Sequence, residues 1–486
     1  MEEVRFDKYT GLGVYLILAS FGILSILVVA YPYELRGVDT NVVYTVQQIL
    51  TDNGNLYLSP ETPPFSITQY GPVMYVIYDG LVSAFPFSVD DPIILLRCLR
   101  GISGLVLLLG LWQYWQLLVR DMKLRVELAT LLIAFFFVGS FPWYLMSRPD
   151  VFVFLLLTLF LRCFLYRDDN YSQAILLGII TAVGIACKLN FAIFGLLTAA
   201  LLVWERRYRR FWVFAAAAVL AGLLGWGLLE ALGYDTQFIY ENNILGVDNG
   251  IDIRRATDLV YLPFLVVVVP LLVLGSYLLW RATIDGVNSP ITIAKKLSWF
   301  VAGSLCFALV TALKVGSAVN YLNEGFLILL IWVGYLITRT SQRSVAVAVV
   351  ALLFFQVTTL HAYTHAPRLI GQNYVHALGG SLQIDRDRNA VIAFLKSVDS
   401  WNSFYSSDKL IGLHFPHRAL LFQSDIHNLT FARNTYEYRR VHEMVSRGSI
   451  DYLVLDNNQQ EFFGHRVRDA FVPVRSEGAF TIYRHK

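Results

Sequence analysis

Charged side chains are scarce in this sequence. Of 486 residues, only 15% are Asp, Glu, Lys or Arg, whereas 56% are hydrophobic and the mean hydropathy is +0.53. Soluble globular domains carry about 25% charged residues, so this composition excludes a soluble domain with a single core. We therefore predict a polytopic α-helical membrane protein.

An excess of one charge is also missing. The net charge is only +3 and no extended run of Lys and Arg occurs, which argues against nucleic acid as a partner.

Cysteine is also rare in the sequence. The four cysteines lie in or beside hydrophobic runs, and none falls in the polar C-terminal segment. Their expected role is apolar packing rather than disulfide formation.

The motifs of several enzyme classes are absent. The sequence has no G-x-x-x-x-G-K-[ST], no G-x-G-x-x-G after a strand, no H-E-x-x-H and no G-x-S-x-G, so nucleotide handling and peptide hydrolysis are not expected. His361 and His365 have a spacing that suits a metal, but no Glu completes a site nearby, and we interpret them as interfacial. We assign no metal ligands and identify no certain cofactor, and the involvement of a divalent metal stays open.

Long apolar runs are what the sequence has instead. Eleven runs can cross about 30 Å of hydrocarbon as helices. They lie near 12–31, 94–119, 126–146, 149–166, 172–187, 190–204, 211–232, 259–280, 297–313, 325–338 and 344–362. The first is longer than a signal-peptide core and lacks a small-residue cleavage site, which indicates a retained helix. Lys188 interrupts 172–204, which could form two short helices or one bent helix.

Lys and Arg are distributed unevenly over the loops. With two helices in 172–204, every loop on one side is basic, which is typical of the cytoplasmic side. This favours 11 spans and a cytoplasmic N-terminus. The segments then predicted to lie together on the outer side are 32–90, 147–150, 187–190, 233–258 and 314–324. Because unexpected polar residues are concentrated in these segments, we expect one outward-facing site.

The composition changes at about residue 367. Apolar runs shorten, charge rises, and DYLVLD and AFTIYR have the pattern of strands. We predict a transmembrane domain over 1–366, which includes the outer loop 32–90 with surface helices, and a soluble α/β domain over 367–486 on the outer side. No half-to-half similarity of the kind found in many transporters is visible.

Asp39 lies in the first outer loop, in ELRGVDTNVVYTVQQIL. Asp39 or Thr40 could cap a helix that lies along the membrane surface. Alternatively, a partly desolvated carboxylate at the membrane boundary could act as a general base. Later in the same loop, Tyr70-Gly71-Pro72 opens an aromatic helix, and Tyr70 is a candidate substrate contact.

Ionisable residues also interrupt the outer ends of the apolar runs. Arg148 and Asp150 form a short SRPD turn, in which Asp150 suits the positive first turn of a helix; groups at this depth are functional candidates. Lys188 lies in an apolar stretch, where a lysine is costly unless it snorkels or pairs. Its compact ammonium suits a phosphate oxygen.

Lys314, in KVGSAVNYLNE, is a second lysine beside an apolar run and likewise needs a partner. The hydrogen-bonding residues that follow it are Asn320, Tyr321 and Glu324. Arg254 and Arg255 could add positive charge, although paired arginines at a helix entrance are more often interfacial anchors.

An acid and several cations on one face define a reaction class. Positive charge stabilises a lipid-linked phosphate leaving group. One carboxylate is enough for a single displacement with inversion at a sugar carbon, whereas a retaining reaction needs a second placed carboxylate. No second candidate is identified in the sequence.

These motifs together resemble those of the membrane-embedded GT-C glycosyltransferases. They are the acid Asp39 after the first helix, the Y-G-P helix, the R-P-D turn, Lys188 in its turn and the K-x-G-x-x-x-N-Y segment. Over roughly residues 10–340, the sequence is similar to family 39, the protein mannosyltransferases and aminoarabinose transferases. This resemblance implies a polyprenyl-phosphate-linked monosaccharide as donor and an outward-facing glycan, lipid or protein as acceptor. It also implies a bacterial inner or plasma membrane as location.

The resemblance implies roles for individual residues. Asp39 would be the catalytic base. The lipid phosphate would be held by Lys188, with Arg148 and Lys314, while Arg254 and Arg255 could contribute. The candidate substrate contacts are Asp150, Tyr70, Asn320, Tyr321 and Glu324. The sequence departs from the family in having Thr40 where a Glu often follows the acid, and Thr62-Pro63-Pro64 in place of a K-P-P turn.

Two other classes of function stay open. A transporter or flippase of lipid-linked sugars would also need outer cations and many helices, but it predicts polar residues deep in several helices and related halves. A receptor-like or scaffold protein would use the membrane loops only as structure.

Overall fold

A computed structural model supplies the coordinates. It describes residues 8–32, 39–51, 55–84, 91–166, 170–247, 250–284, 291–314, 319–340, 343–377, 383–398, 401–420, 443–444, 447, 449–456 and 470–486.

Helices make up most of the described chain. Their bounds are α1 Lys8–Ala30, α2 Asp39–Thr51, α3 Pro72–Ser83, α4 Pro92–Trp115, α5 Val126–Ser140, α6 Asp150–Tyr166, α7 Tyr171–Cys187, α8 Ala192–Trp204, α9 Tyr208–Ala231, α10 Ile239–Asn243, α11 Ile253–Ala256, α12 Val269–Ile284, α13 Ile291–Thr311, α14 Asn323–Ile337, α15 Arg343–Ala377, α16 Gln383–Ser397 and α17 Lys409–Leu413. Wider π-helical turns extend α4 over Gln116–Asp121 and precede α12, and a 3₁₀ turn, Val319–Leu322, precedes α14.

Each predicted apolar run contains a helix, although the run at 126–146 is helical only over Val126–Ser140 and continues as turns. Among the described residues, seven helical stretches are long and apolar enough to cross a membrane: Leu12–Ala30, Pro92–Asp121, Tyr208–Ala231, Ile253–Ile284, Thr292–Thr311, Val319–Ile337 and Arg343–Ala362. The other four runs form the shorter helices α5 to α8, of which α7 and α8 are separate, as the two-helix alternative for 172–204 predicts. The protein is a multi-pass integral membrane protein. The count of 11 spans and the orientation stay predictions.

Contacts divide the chain into two compact units. We call Met1–Val29, Gly101–Gly227 and Ile251–Leu369 the helical unit, and Ala30–Arg100, Leu228–Gly250 and Ile370–Lys486 the mixed unit. The predicted domain boundary at 366/367 stays a prediction. The division nevertheless groups the outer loop 32–90 with the C-terminal segment, which the sequence did not indicate.

α14 forms the centre of the helical unit. It packs against α5, α12 and α13, and 94% of its apolar span is buried, compared with 6% for α9. An apolar helix surrounded by other helices gains packing on all sides, whereas α9 leaves large side chains such as Leu223 and Leu224 exposed, as suits a lipid-facing helix. The first turn of α14 is therefore held firmly, and it carries Glu324.

The mixed unit contains the predicted α/β sheet. Its strands are β1 Phe404–Ser406, β2 Ala419–Leu420, β3 Tyr452–Asp456, β4 Phe471–Glu477 and β5 Phe480–His485, in the order β2-β1-β3-β5-β4. β1 pairs in parallel with β2 and β3, and β5 pairs antiparallel with β3 and β4. DYLVLD and AFTIYR correspond to β3 and β5, so both strand predictions are confirmed.

Part of the segment 32–90, predicted to be the first outer loop, lies in the core of this unit. Phe65 and Ile67 are buried against a cluster that includes Leu453 and Phe471 of the sheet. The amide of Asn242 bonds the same loop twice, accepting from the Thr68 N–H at 2.7 Å and donating to the Leu58 carbonyl at 2.8 Å. These contacts fix the loop segment that lies between α2 and α3.

A close helix contact in the helical unit is directly testable. A Cβ at Gly275 of α12 would overlap the Trp332 ring of α14, whereas a Cβ at Gly222 of α9 would meet nothing within 4 Å. Because overpacking a dense core costs about 1–3 kcal/mol, Gly275→Ala is expected to lower the thermal unfolding temperature in detergent. Gly222→Ala is the matched control and is expected to leave it unchanged or slightly higher. Equal temperatures for the two variants would contradict this packing.

Candidate functional site

Asp39 begins α2 and is almost completely buried, at 1% exposure. Its Oδ2 accepts a hydrogen bond from Nη2 of Arg100 at 2.5 Å, and the Arg100 side chain is itself fully buried. A buried carboxylate next to a guanidinium avoids the large penalty of an unpaired charge. Asp39 is therefore a buried, ion-paired carboxylate, and it does not serve only as the cap of a helix on the surface.

α4 delivers Arg100 to this position. Asp91 starts the helix by accepting from the Ile93 N–H at 2.8 Å, and two arginines then face the end of α1. Arg97 donates to the Ala30 carbonyl at 2.9 Å, and Arg100 donates to the Tyr31 carbonyl at 2.6 Å. Carbonyls at a helix C-terminus lack intrahelical partners, so Arg100 satisfies one of them while it holds Asp39.

Tyr70 also lies in the mixed unit, directly before the helix predicted from Tyr70-Gly71-Pro72. That helix, α3, begins at Pro72, where the missing N–H of proline costs nothing. The Tyr70 carbonyl accepts from the hydroxyl of Tyr57 at 2.9 Å. Burial raises the pKa of Tyr57, so this phenol stays a neutral hydrogen-bond donor that fixes the backbone at Tyr70.

The helical unit brings together a second group of predicted residues, centred on Lys188. Lys188 lies in extended conformation between α7 and α8. Its Nζ donates to Oδ1 of Asp150 at 2.9 Å and to Oε1 of Glu324 at 3.0 Å. The Lys188 side chain is only 11% exposed and that of Asp150 only 2%. The lysine that interrupts the apolar run is thus neutralised by two carboxylates rather than left to snorkel.

Three further side chains complete this group. Arg148 pairs with Oδ2 of Asp150 at 3.2 Å and lies over the Trp143 ring. Asn320, which is buried, donates to Oδ1 of Asp150 at 3.1 Å, and the ring of Tyr321 lies 5.8 Å from Nζ of Lys188. We call these residues the Lys188 network, with the members Arg148, Asp150, Lys188, Asn320, Tyr321 and Glu324.

The electrostatics of the Lys188 network are balanced. Asp150 and Glu324 lie in the first turns of α6 and α14, where the helix dipole favours negative charge. Arg148 and Lys188 supply an equal number of positive charges. An anion that entered the network would therefore compete with Asp150 and Glu324 for Lys188, and would gain most where it also reached Arg148 or further cations.

The remaining predicted cations lie on adjoining segments of the same unit. Asp252 caps α11 by accepting from the Arg255 N–H at 2.9 Å, and Arg254 and Arg255 are exposed in this short helix. Residues Ile251 and Lys314 form an antiparallel bridge, with the Asp252 N–H bonded to the Leu313 carbonyl at 2.9 Å. The chain from Lys314 leads, after residues outside the described range, into the turn that carries Asn320.

The structure therefore divides the predicted site residues into two sets. Asp39 and Tyr70 belong to the mixed unit. The helical unit contains Arg148, Asp150, Lys188, Arg254, Arg255, Lys314, Asn320, Tyr321 and Glu324. That both sets form one site stays a prediction. Among the residues that the structure describes, no cluster of His, Cys, Asp or Glu has the arrangement of a metal site.

Arg100 is the main residue that sequence reasoning missed. It lies in LLRCLRGISGLVLLLG, near the start of an apolar run, where an arginine is usually interpreted as an interfacial anchor. The available signal was its position inside the run, since a charge there needs a partner. The identity of that partner, 61 residues earlier in the chain, depends on the fold.

Comparison with known proteins identifies the fold. No family model matches the sequence, and no curated protein matches it. Among solved structures, the chain is similar to ArnT from Cupriavidus metallidurans bound to undecaprenyl phosphate, with a TM-score of 0.61, 12% identity and 97% of each chain covered. The apo state of the same protein gives a TM-score of 0.58 at 12% identity, again with 97% of each chain covered.

A more distant match is the archaeal oligosaccharyltransferase AglB from Archaeoglobus fulgidus, in complex with an inhibitory peptide and a dolichol-phosphate. It has a TM-score of 0.48 and 11% identity, over 93% of this chain and 71% of AglB. The ArnT match extends over nearly the whole of both chains. The resemblance expected from the sequence motifs is therefore confirmed as a likeness of fold to ArnT.

Proposed function

We propose that the protein is an inverting GT-C glycosyltransferase that moves a monosaccharide from a polyprenyl-phosphate-linked donor to an extracytoplasmic glycan, lipid or protein. The observation that carries this proposal is the shared fold with ArnT, whose structure was solved with undecaprenyl phosphate, over 97% of both chains. The N-terminus would lie on the cytoplasmic side of a bacterial inner membrane, and the C-terminal segment would lie on the outer side. The catalytic assignments below are supported by the contacts within each unit.

Asp39 is the proposed general base. In the transition state its carboxylate accepts the proton of the acceptor hydroxyl while the hydroxyl oxygen bonds to the anomeric carbon. The bond from that carbon to the phosphate oxygen breaks, and the lipid phosphate leaves with the electron pair. Arg100 is a positioning residue for this step, because its hydrogen bond to Oδ2 fixes the orientation of the carboxylate.

The Lys188 network is the proposed site for the lipid phosphate, with Lys314, Arg254 and Arg255 as contributing cations. Negative charge grows on the phosphate as the sugar leaves, and fixed cations stabilise that charge. Four members of the network are proposed substrate contacts: Asp150, Asn320, Tyr321 and Glu324. In the mixed unit, Tyr70 is a further proposed contact.

Replacing the base tests the reaction class. Asp39→Asn is expected to reduce release of polyprenyl phosphate from undecaprenyl-phosphate-linked sugars by at least about 100-fold, the usual lower bound for losing a general base. Glu61→Gln, an exposed acid in the same loop, is the control and should keep its activity. Full activity of Asp39→Asn would exclude Asp39 as the base. If the wild-type protein and Asp39→Asn both moved lipid-linked sugars across the membrane without releasing polyprenyl phosphate, the transporter would be favoured.

Removing the partner of Asp39 tests the positioning role. Arg100→Met removes the cation that pairs with a buried carboxylate, which should cost about 3–5 kcal/mol of stability, and it should also reduce activity. Arg97→Met, one turn earlier on α4 and exposed, should change neither strongly. The double variant Asp39→Asn with Arg100→Met should regain thermal stability but not activity. Recovery of activity in the double variant would show that the ion pair is only structural.

A third experiment separates phosphate binding by Lys188 from its structural pairing. Lys188→Ala removes the cation shared by Asp150 and Glu324 and leaves Arg148 as the cation paired with Asp150. It should therefore lower the thermal unfolding temperature and abolish the stabilisation caused by undecaprenyl phosphate. Adding Glu324→Gln removes one of the carboxylates and should restore part of the unfolding temperature. If the double variant also regained stabilisation by undecaprenyl phosphate, Lys188 would have no direct role in binding the donor.

A further inference from the structure

A cavity of about 250 Å³ opens in the helical unit at helix ends that carry none of the proposed site residues. It lies where the π-helical extension of α4 ends and α5 begins, and where α14 ends and α15 begins. The N-terminal turn of α14, with Glu324, is at the other end of that 15-residue helix. Since a helix rises about 1.5 Å per residue, the cavity lies roughly 20 Å from the Lys188 network along α14.

The walls of this cavity carry four cations. Lys123 and Arg125 come from the turn before α5, Arg339 follows the end of α14, and Arg343 is the first residue of α15. Glu127 is the single acid among the lining residues, so positive charge is in excess. Such a concentration of like charge is unfavourable by itself and is relieved when an anion binds between the cations.

Backbone contacts order part of this basic wall. Arg343 donates from Nη2 to the Thr338 carbonyl at 2.9 Å and from Nε to the Thr340 carbonyl at 3.2 Å. The guanidinium of Arg339 lies 5.4 Å from the centre of the Tyr335 ring. These contacts hold both arginines near the end of α14, while Lys123 and Arg125, from the turn before α5, are exposed.

Apart from Thr338, the remaining lining is apolar. Its apolar side chains are Met122, Leu128, Ile337 and Val347. A cavity that combines clustered cations with an apolar wall, at the ends of membrane helices, fits a molecule with a phosphate and a hydrocarbon chain. The basic turns also belong to the side that the Lys and Arg distribution assigns to the cytoplasm, where anionic lipid headgroups are concentrated.

We propose that this cavity binds the headgroup phosphate of an anionic phospholipid in the membrane leaflet opposite the donor site. The phosphate lies among Arg125, Arg339 and Arg343, and the acyl chains leave along the apolar wall. The bound lipid would neutralise the excess charge at the junction of α14 and α15 and thereby stabilise the helical unit. This proposal does not depend on the proposed glycosyl transfer.

The test is thermal unfolding of the full-length protein in neutral detergent. The probes are dihexanoyl phosphatidylglycerol, the zwitterionic dihexanoyl phosphatidylcholine and inorganic phosphate. Phosphatidylglycerol should raise the unfolding temperature in a saturable manner, since a ligand that binds only the folded state stabilises it. Phosphatidylcholine and inorganic phosphate at the same concentrations should have little effect.

Variants locate the site. Arg125→Ala and Arg339→Ala should each weaken the apparent affinity for phosphatidylglycerol by about fivefold, as expected for the loss of one cation near an anionic lipid. Arg209→Ala removes an exposed arginine from the first turn of α9, in another basic segment, and should leave the affinity unchanged. The Arg125 side chain makes no capping hydrogen bond to α5, so Arg125→Ala keeps the test valid if Arg339→Ala unfolds.

Three outcomes would overturn the proposal. An equal response to phosphatidylcholine would show that the headgroup charge is irrelevant. Full stabilisation by inorganic phosphate alone would indicate an anion site without a lipid. An equal loss of affinity in Arg209→Ala would show that phosphatidylglycerol responds to overall charge and not to this cavity.

Discussion

The pairing of Lys188 with Asp150 and Glu324 is the interaction on which the helical unit depends. A lysine buried among apolar helices is unfavourable unless opposite charge meets it. The chain meets it with carboxylates from the first turns of α6 and α14, at 2.9 and 3.0 Å. One side chain thus ties together the turn between α7 and α8 and the starts of two other helices, and Arg148 and Asn320 complete the coordination of Asp150.

The mixed unit also contains a buried ion pair between a carboxylate at a helix start and a cation. Asp39 begins a helix, is buried, and is neutralised by a fully buried Arg100 that also bonds the chain leaving α1. In both units a carboxylate at a helix start meets a buried cation from a distant part of the sequence. Such arrangements are costly to assemble and strongly destabilised when one partner is removed, so each charged group stays in a defined orientation. Defined orientation is what a general base or a phosphate site requires.

The two parts of the molecule were predictable to different extents. All eleven apolar runs contain helices, because a long apolar segment can satisfy its backbone in a membrane only as a helix or in a barrel, and the alternating patterns of DYLVLD and AFTIYR form β3 and β5. Six of the predicted residues meet in the Lys188 network because a polar side chain in an apolar run needs a partner. The segment that contains Phe65 and Ile67 packs against the C-terminal sheet. No periodic pattern in the sequence predicts this contact.

By itself, the sequence determined that the chain is a multi-pass membrane protein, where its helices run, and which polar residues needed an explanation. Hydropathy and helix length are properties of short segments, so they can be recognised without the fold. Only the tertiary structure decided that Asp39 is paired with Arg100 and that Lys188 lies between two carboxylates. It also decided that four cations from two separate segments line one cavity. Each of these pairings joins residues far apart in the chain, and their proximity is set by helix packing rather than by any local pattern.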